Sequence, residues 1–223
     1  SYGLLLHGYN LKRLRAGMQF VVINLVASLL FLIGIALIYG SVGTLNMSDL
    51  ALRLRDVAGD ELVLFKIGGS VLALAFLIKS AMWPLGFWLP TTYAAASPPV
   101  AAMLALMTKV GVYAILRLSL LALGEDSAAE GFGPTALFWG GVVTVVFGAA
   151  GMIATDDYGR LAGYAAIISS GTLLTLIGLG HPALIAPALF YLLSSTLAIA
   201  ALMLLIELIE RCRNPIDAML AIT

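Results

Sequence analysis

The sequence predicts an all-α, polytopic bundle of membrane-spanning helices. Three observations carry that expectation. Of 223 residues, 61% are apolar and 11% are charged, with a mean hydropathy of +1.05; an ordinary soluble domain is about 25% charged. Charge-poor windows of about 20 residues recur, the length needed to cross about 30 Å of hydrocarbon. The 23 Gly and 8 Pro exceed what soluble helices tolerate, whereas bilayer helices accept both. A water-soluble globule needs polar atoms to cover its outside, and this chain has too few. A soluble enzyme, a nucleic-acid-binding domain and a disordered segment are therefore excluded.

Five full windows and a sixth, broken one give the spans. The first runs over about 18–39 and holds no charge. The second, about 63–89, contains Lys66, Lys79 and Pro84. The third, about 100–123, carries Lys109 and Arg117. The fourth is about 135–155, the fifth about 161–179 and the last about 184–209, with Glu207 near its end. Ser1 to His7 reads as the tail of an earlier span, so the chain is expected to be a fragment of a longer polypeptide with a single transmembrane domain over 1–223. Gly148, Ala149, Ala150 and Gly151 form a small-residue run suited to close helix contact. Trp83, Trp88, Tyr93 and Trp139 sit near span ends and read as interfacial anchors. Ser48 to Val57 is amphipathic, with Leu50, Leu54 and Val57 on one stripe, and is expected to lie at a membrane interface.

The loops alternate in charge. Lys12, Arg13, Arg15, Arg160, Arg211 and Arg213 fall on one side. Arg53, Arg55 and Lys66 share the other with Asp49, Asp56, Asp60, Glu61, Glu125, Asp126 and Glu130. The positive-inside rule places the first set in the cytoplasm. Asp156 to Arg160 reads as a tight turn that caps the next helix. Net charge is zero, which argues against a polyanion-binding surface. Cys212 is the one cysteine and His7 and His181 lie far apart, so neither a disulfide nor a metal site is expected.

The informative residues are charged ones where charge is costly. Counting from a turn at Pro90 to Pro99 at 1.5 Å per residue places both Lys79 and Lys109 about 15–16 Å deep, near the bilayer midplane. Insertion there costs roughly 2.5–3.5 kcal/mol per lysine. A lysine held between desolvation and a movable carboxylate can load and release a proton. Pro84 interrupts the Lys79 helix, because it lacks an N–H and clashes with the Ser80 carbonyl. Broken backbone at this depth survives only inside protein or beside a wet cavity. Arg117 reads as a snorkelling side chain, Glu207 as a partner for Arg211 one helical turn on, and His181 as a loop residue.

The stretch from Phe76 to Pro90 (FLIKSAMWPLGFWLP), the Ala96-Ser-Pro-Pro99 turn and the run Leu106 to Arg117 (LMTKVGVYAILR) resemble the antiporter-like subunits shared by Mrp-type cation/proton antiporters and respiratory complex I. Gly43 to Leu50, Asp157 to Tyr164 and Phe190 to Leu192 are similar to the D subunits of the Mrp type, also called Mnh or Pha. The resemblance implies the antiporter-like fold with its proline-broken helix. It also implies proton translocation by a relay in which Lys79 is the central lysine and Lys109 the next member. Tyr191, Ser194, Glu207 and Arg117 are supporting candidates. The family's partner glutamate would lie on a helix before the first full span, and its final relay residue beyond Thr223. Ser194 stands where the family often has a histidine, so this position would relay only through water. Gly159 replaces a family lysine.

The resemblance, taken with these features, implies a subunit of a multi-subunit Na⁺ or K⁺/H⁺ antiporter in the cytoplasmic (inner) cell membrane. It would act on protons and monovalent cations, with other subunits and the bilayer as partners and with no nucleic acid and no cofactor. It would be a transporter subunit and not an enzyme. The alternative is the proton-pumping arm of a complex I-like oxidoreductase or membrane-bound hydrogenase.

Overall fold

The structure is a computed structural model and describes residues 11–54, 57–122 and 133–220. The apolar tail at 1–7, Arg55, Asp56, Glu125, Asp126 and Glu130 lie outside the described residues, as do the side chains of Lys12, Arg13, Arg211 and Arg213. The Glu207–Arg211 pairing therefore falls outside them too.

The described residues are mostly helical. In chain order the helices are α1 (Leu11–Val42), α2 (Met47–Arg53), α3 (Asp60–Lys79), α4 (Trp88–Ala95), α5 (Pro98–Ala122), α6 (Pro134–Ile153), α7 (Tyr158–Gly178) and α8 (Ile185–Leu220), with a 3₁₀ turn at Pro182–Leu184. All but α2 and α4 are long and apolar enough to cross a membrane. Large apolar side chains face outward along them, among them Leu29, Leu32, Leu193 and Leu197. Water would penalise that surface, but lipid tails are as apolar as leucine.

Local signals set the helix ends. The Asp157 side chain accepts a hydrogen bond from the Arg160 N–H (3.0 Å) and caps α7, as the sequence predicts. Pro134 opens α6, where a missing N–H costs nothing. Asn46 caps α2 through the Ser48 N–H (3.1 Å).

The helices pack in two long pairs, α1 with α3 and α6 with α7, joined by α4, α5 and α8. At Gly148 of α6 an added Cβ would lie 2.7 Å from Ile168 Cγ1 and 3.2 Å from the Ile168 nitrogen, so the small residue there permits the close approach to α7. The central core joins Phe20 of α1, Trp88, Leu89 and Tyr93 of α4, Leu104 of α5, Ile167 of α7 and Met203 of α8.

Two expectations change. Trp88 and Tyr93 are buried core residues, not interfacial anchors, because α4 is tucked between α1, α5 and α7; Trp139 and Trp83 are exposed. The stripe of Leu50, Leu54 and Val57 is also buried. It packs on Ile38, Val42 and Phe65 and closes one end of the α1–α3 pair, so its apolar face is satisfied by protein and not by lipid.

Candidate functional site

The second span is not one helix over 63–89. It stops at Lys79, and the eight residues Ser80–Phe87 are not helical before α4 begins at Trp88. The stop comes before Pro84 and has its own cause. The Met82 N–H donates to the Leu77 carbonyl (3.1 Å) and the Ala81 N–H to the Ile78 carbonyl (3.2 Å), while Ala81 sits at φ +59°. This is a Schellman ending with alanine where glycine is usual. A left-handed alanine costs about 1–2 kcal/mol, and the surrounding contacts hold it. The Trp88 indole N–H donates to the same Ile78 carbonyl (3.3 Å). The Trp83 N–H donates to Thr144 Oγ1 on α6 (2.9 Å), and that hydroxyl donates to the Gly140 carbonyl (2.6 Å). Pro84 is exposed within the linking segment. Counting 1.5 Å per residue from the turn therefore does not give the depth of Lys79, which closes α3, whereas Lys109 lies near the middle of the 25-residue α5.

Lys79 is half-buried and lines a cavity of about 320 Å³. Asn24 and Ser28 of α1, Trp88 of α4 and Thr108 of α5 share its wall. The Asn24 amide nitrogen is turned to the Phe20 carbonyl (2.9 Å). The Trp88 indole N–H is spent on Ile78, so Lys79, Asn24, Ser28 and Thr108 are the groups left for water in a wall that is otherwise apolar, with Phe20, Phe31, Phe76 and Leu104. Among the described residues no carboxylate lines it.

Gly111 sets the distance between Lys79 and α5. A Cβ there would lie 3.2 Å from the Phe76 oxygen, 3.2 Å from the Ser80 nitrogen and 3.3 Å from Lys79 Cβ. Two residues earlier on α5, Lys109 is 2% exposed and its ammonium donates to the Ser169 hydroxyl oxygen on α7. One helix thus separates the lysines. Lys79 meets a largely apolar cavity that Asn24, Ser28 and Thr108 also line, at a helix break, and Lys109 meets a serine in a packed interface.

The remaining candidates lie apart from this pair. Ser194 is exposed and its hydroxyl donates to the Tyr191 carbonyl (3.2 Å); Ser195 and Thr196 beside it are the buried hydroxyls of α8. Tyr191 is half-buried against the core cluster that includes Val112, Ile115 and Leu174. Arg117 is exposed, with Nη2 3.7 Å from Met47 Sδ of α2. Glu207 is half-buried next to Ile206 of the central core. Sequence reasoning missed Asn24, Ser28, Thr144 and Ser169. The available signal was a polar residue inside an apolar span, since such groups seek partners within the bundle.

A helix bundle with a broken span and two lysines in its interior defines a polytopic membrane protein with ionisable groups inside. The chain belongs to the family described as NADH:quinone oxidoreductase/Mrp antiporter, transmembrane, whose model matches residues 2–223. It is 54% identical over 224 residues to a protein of Rhizobium meliloti (strain 1021) named as the probable D subunit of a K⁺/H⁺ antiporter, covering 100% of this chain and 42% of that one. Its fold matches a chain in the structure of the Mrp complex from Dietzia sp. DQ12-45-1b with a TM-score of 0.78 and 28% identity, over 92% of this chain and 38% of that one. It also matches a chain of the membrane-bound sulfane sulfur reductase, an archaeal respiratory membrane complex, with a TM-score of 0.83 and 25% identity, over 91% and 41%. The chain spans less than half the length of each.

Proposed function

We propose that this chain is part of the proton-translocating membrane subunit of a multi-subunit monovalent cation/proton antiporter in the cytoplasmic membrane. The observation that carries this reading is the pair of lysines on opposite sides of α5, one beside a largely apolar cavity at a helix break and one buried against α7. Lys79 exchanges protons with cavity water, and Lys109, on the far side of α5 and outside that cavity, is the next member of the relay. The relative named for a K⁺/H⁺ antiporter and the likeness to an Mrp complex chain support the reading. The subunit transports ions and performs no catalytic chemistry of its own. A carboxylate partner for Lys79 would come from a segment preceding α1 or from a neighbouring subunit.

The test is cation-driven collapse of a respiration-generated pH gradient in inverted vesicles holding the full complex. Full-length wild-type subunit is compared with Lys79→Ala at matched assembly. Added K⁺ or Na⁺ should collapse the gradient in wild type and not in the variant. Equal collapse in both would remove Lys79 from the relay. The likeness to the sulfane sulfur reductase chain favours a second reading, in which the same lysines are driven by electron transfer in another subunit nearby. A wild type that ignores added cation would make that reading the leading one.

A further inference from the structure

The contact between Lys109 and Ser169 joins two side chains 60 residues apart in sequence, 2% and 5% exposed. A lysine this deep needs an acceptor for its ammonium, or its burial is strongly unfavourable. Ser169 is built to be one. Its own hydroxyl proton goes to the Ala166 carbonyl (3.2 Å) on the preceding turn of α7. A hydroxyl has one donor and two lone pairs, so the oxygen that faces Lys109 acts purely as an acceptor. Ala166 is fully buried, so the orientation of that hydroxyl is set by the helix and not by solvent.

The adjacent Ser170 supplies a contrast. It is equally buried, yet its hydroxyl has no hydrogen-bond partner among the described residues. Burial of a small hydroxyl on this helix is therefore not enough to account for the Lys109 contact.

We propose that Ser169 is the positioning residue for Lys109, fixing its ammonium in the gap between α5 and α7 so that it can receive and pass a proton. The proposal rests on the relay reading above. It concerns a side chain that touches neither the cavity of Lys79 nor, by itself, any transported ion.

The experiment uses the full complex in inverted vesicles and reads exchange rate per assembled complex across a range of cation concentrations. Ser169→Ala should lower the maximal rate about tenfold or more, the usual weight of a hydrogen bond to a charged group. The half-saturating cation concentration should stay unchanged. Ser169→Thr keeps the hydroxyl and should recover most of the rate. Ser169→Cys, close in volume but a weak acceptor, should behave like alanine, and it serves in its place if the alanine variant does not assemble. Ser170→Ala should exchange like wild type. Normal exchange in Ser169→Ala, or in Ser169→Cys, would overturn the proposal. So would equal losses in Ser169→Ala and Ser170→Ala, since packing alone would then explain both. Lys109→Ala separates the two levels. If it exchanges normally, the relay reading falls and Ser169 falls with it. If it is inactive while Ser169→Ala is normal, only the serine assignment fails.

Discussion

Gly111→Ala tests the geometry of the site most directly. Two opposing effects can be weighed. Alanine is favoured over glycine inside a helix by about 1 kcal/mol, so the substitution should stabilise α5 if the site has room. It does not have room. The new methyl would sit 3.2 Å from the Phe76 oxygen, 3.2 Å from the Ser80 nitrogen and 3.3 Å from Lys79 Cβ, all inside ordinary contact distance at once. Two of these are backbone atoms at a hydrogen-bonded helix end and cannot rotate away. Overpacking of this kind costs about 1–3 kcal/mol. Taking about 2 against about 1 leaves a net loss of about 1 kcal/mol, with α5 and the end of α3 pushed apart by a few tenths of an ångström. Gly69, on α3, is the matched control, because nothing lies within 4 Å of a Cβ there. Gly69→Ala should therefore gain up to about 1 kcal/mol. The assay is thermal unfolding of the purified full complex, with cation-driven proton exchange as the second readout. Gly111→Ala should melt below wild type and exchange more slowly; Gly69→Ala should melt at or above it with exchange intact. A Gly111→Ala complex that melts above wild type and exchanges normally would refute the claim that this glycine sets the Lys79–α5 spacing.

Two further outcomes follow from other contacts. Thr144→Val removes the acceptor for the Trp83 N–H (2.9 Å) and leaves a donor in the broken segment unsatisfied, which costs about 1–3 kcal/mol. Hydrogen exchange of the Trp83 amide should accelerate while α6 stays protected; unchanged exchange there would show that the segment is held by other contacts. In α2, the Arg53 guanidinium 3.1 Å from Asp49, with Thr44 adding a second hydrogen bond, holds that carboxyl below its ordinary 3.8. A lowered carboxyl favours the folded segment above pH 3.8, and the contribution is lost as pH falls through the lower folded-state value. A carboxyl-carbon NMR titration of Asp49 should have its midpoint under 3.8 and move toward 3.8 in Arg53→Gln. A wild-type midpoint at or above 3.8 would remove the pair.

The spans were readable because bilayer thickness imposes a length and a composition that can be counted along the chain. The α7 cap was readable because Asp157 acts on an N–H three residues away. The same locality made Lys79 and Lys109 stand out, since a charge in an apolar window is anomalous wherever the chain goes. The break was misplaced because Pro84 is the visible signal, while the actual stop depends on Ala81 taking a conformation that alanine normally avoids. The contacts of Trp88 with Ile78 and of Trp83 with Thr144, made by residues beyond the stop, flank that turn.

Composition and periodicity thus determined by themselves that this chain is a helical membrane bundle with ionisable groups inside it. Tertiary structure decided which polar residues serve those groups. It turned Trp88, Tyr93 and the Leu50–Leu54–Val57 stripe inward. It set Asn24 and Ser28 beside Lys79, brought Ser169 to Lys109 across 60 residues and left Ser194 on the outside. The physical reason is that hydropathy is a property of each residue and adds along a window. A hydrogen bond between helices depends instead on rotation and register, which are set by small-residue contacts such as Gly111 against Lys79 and Gly148 against Ile168.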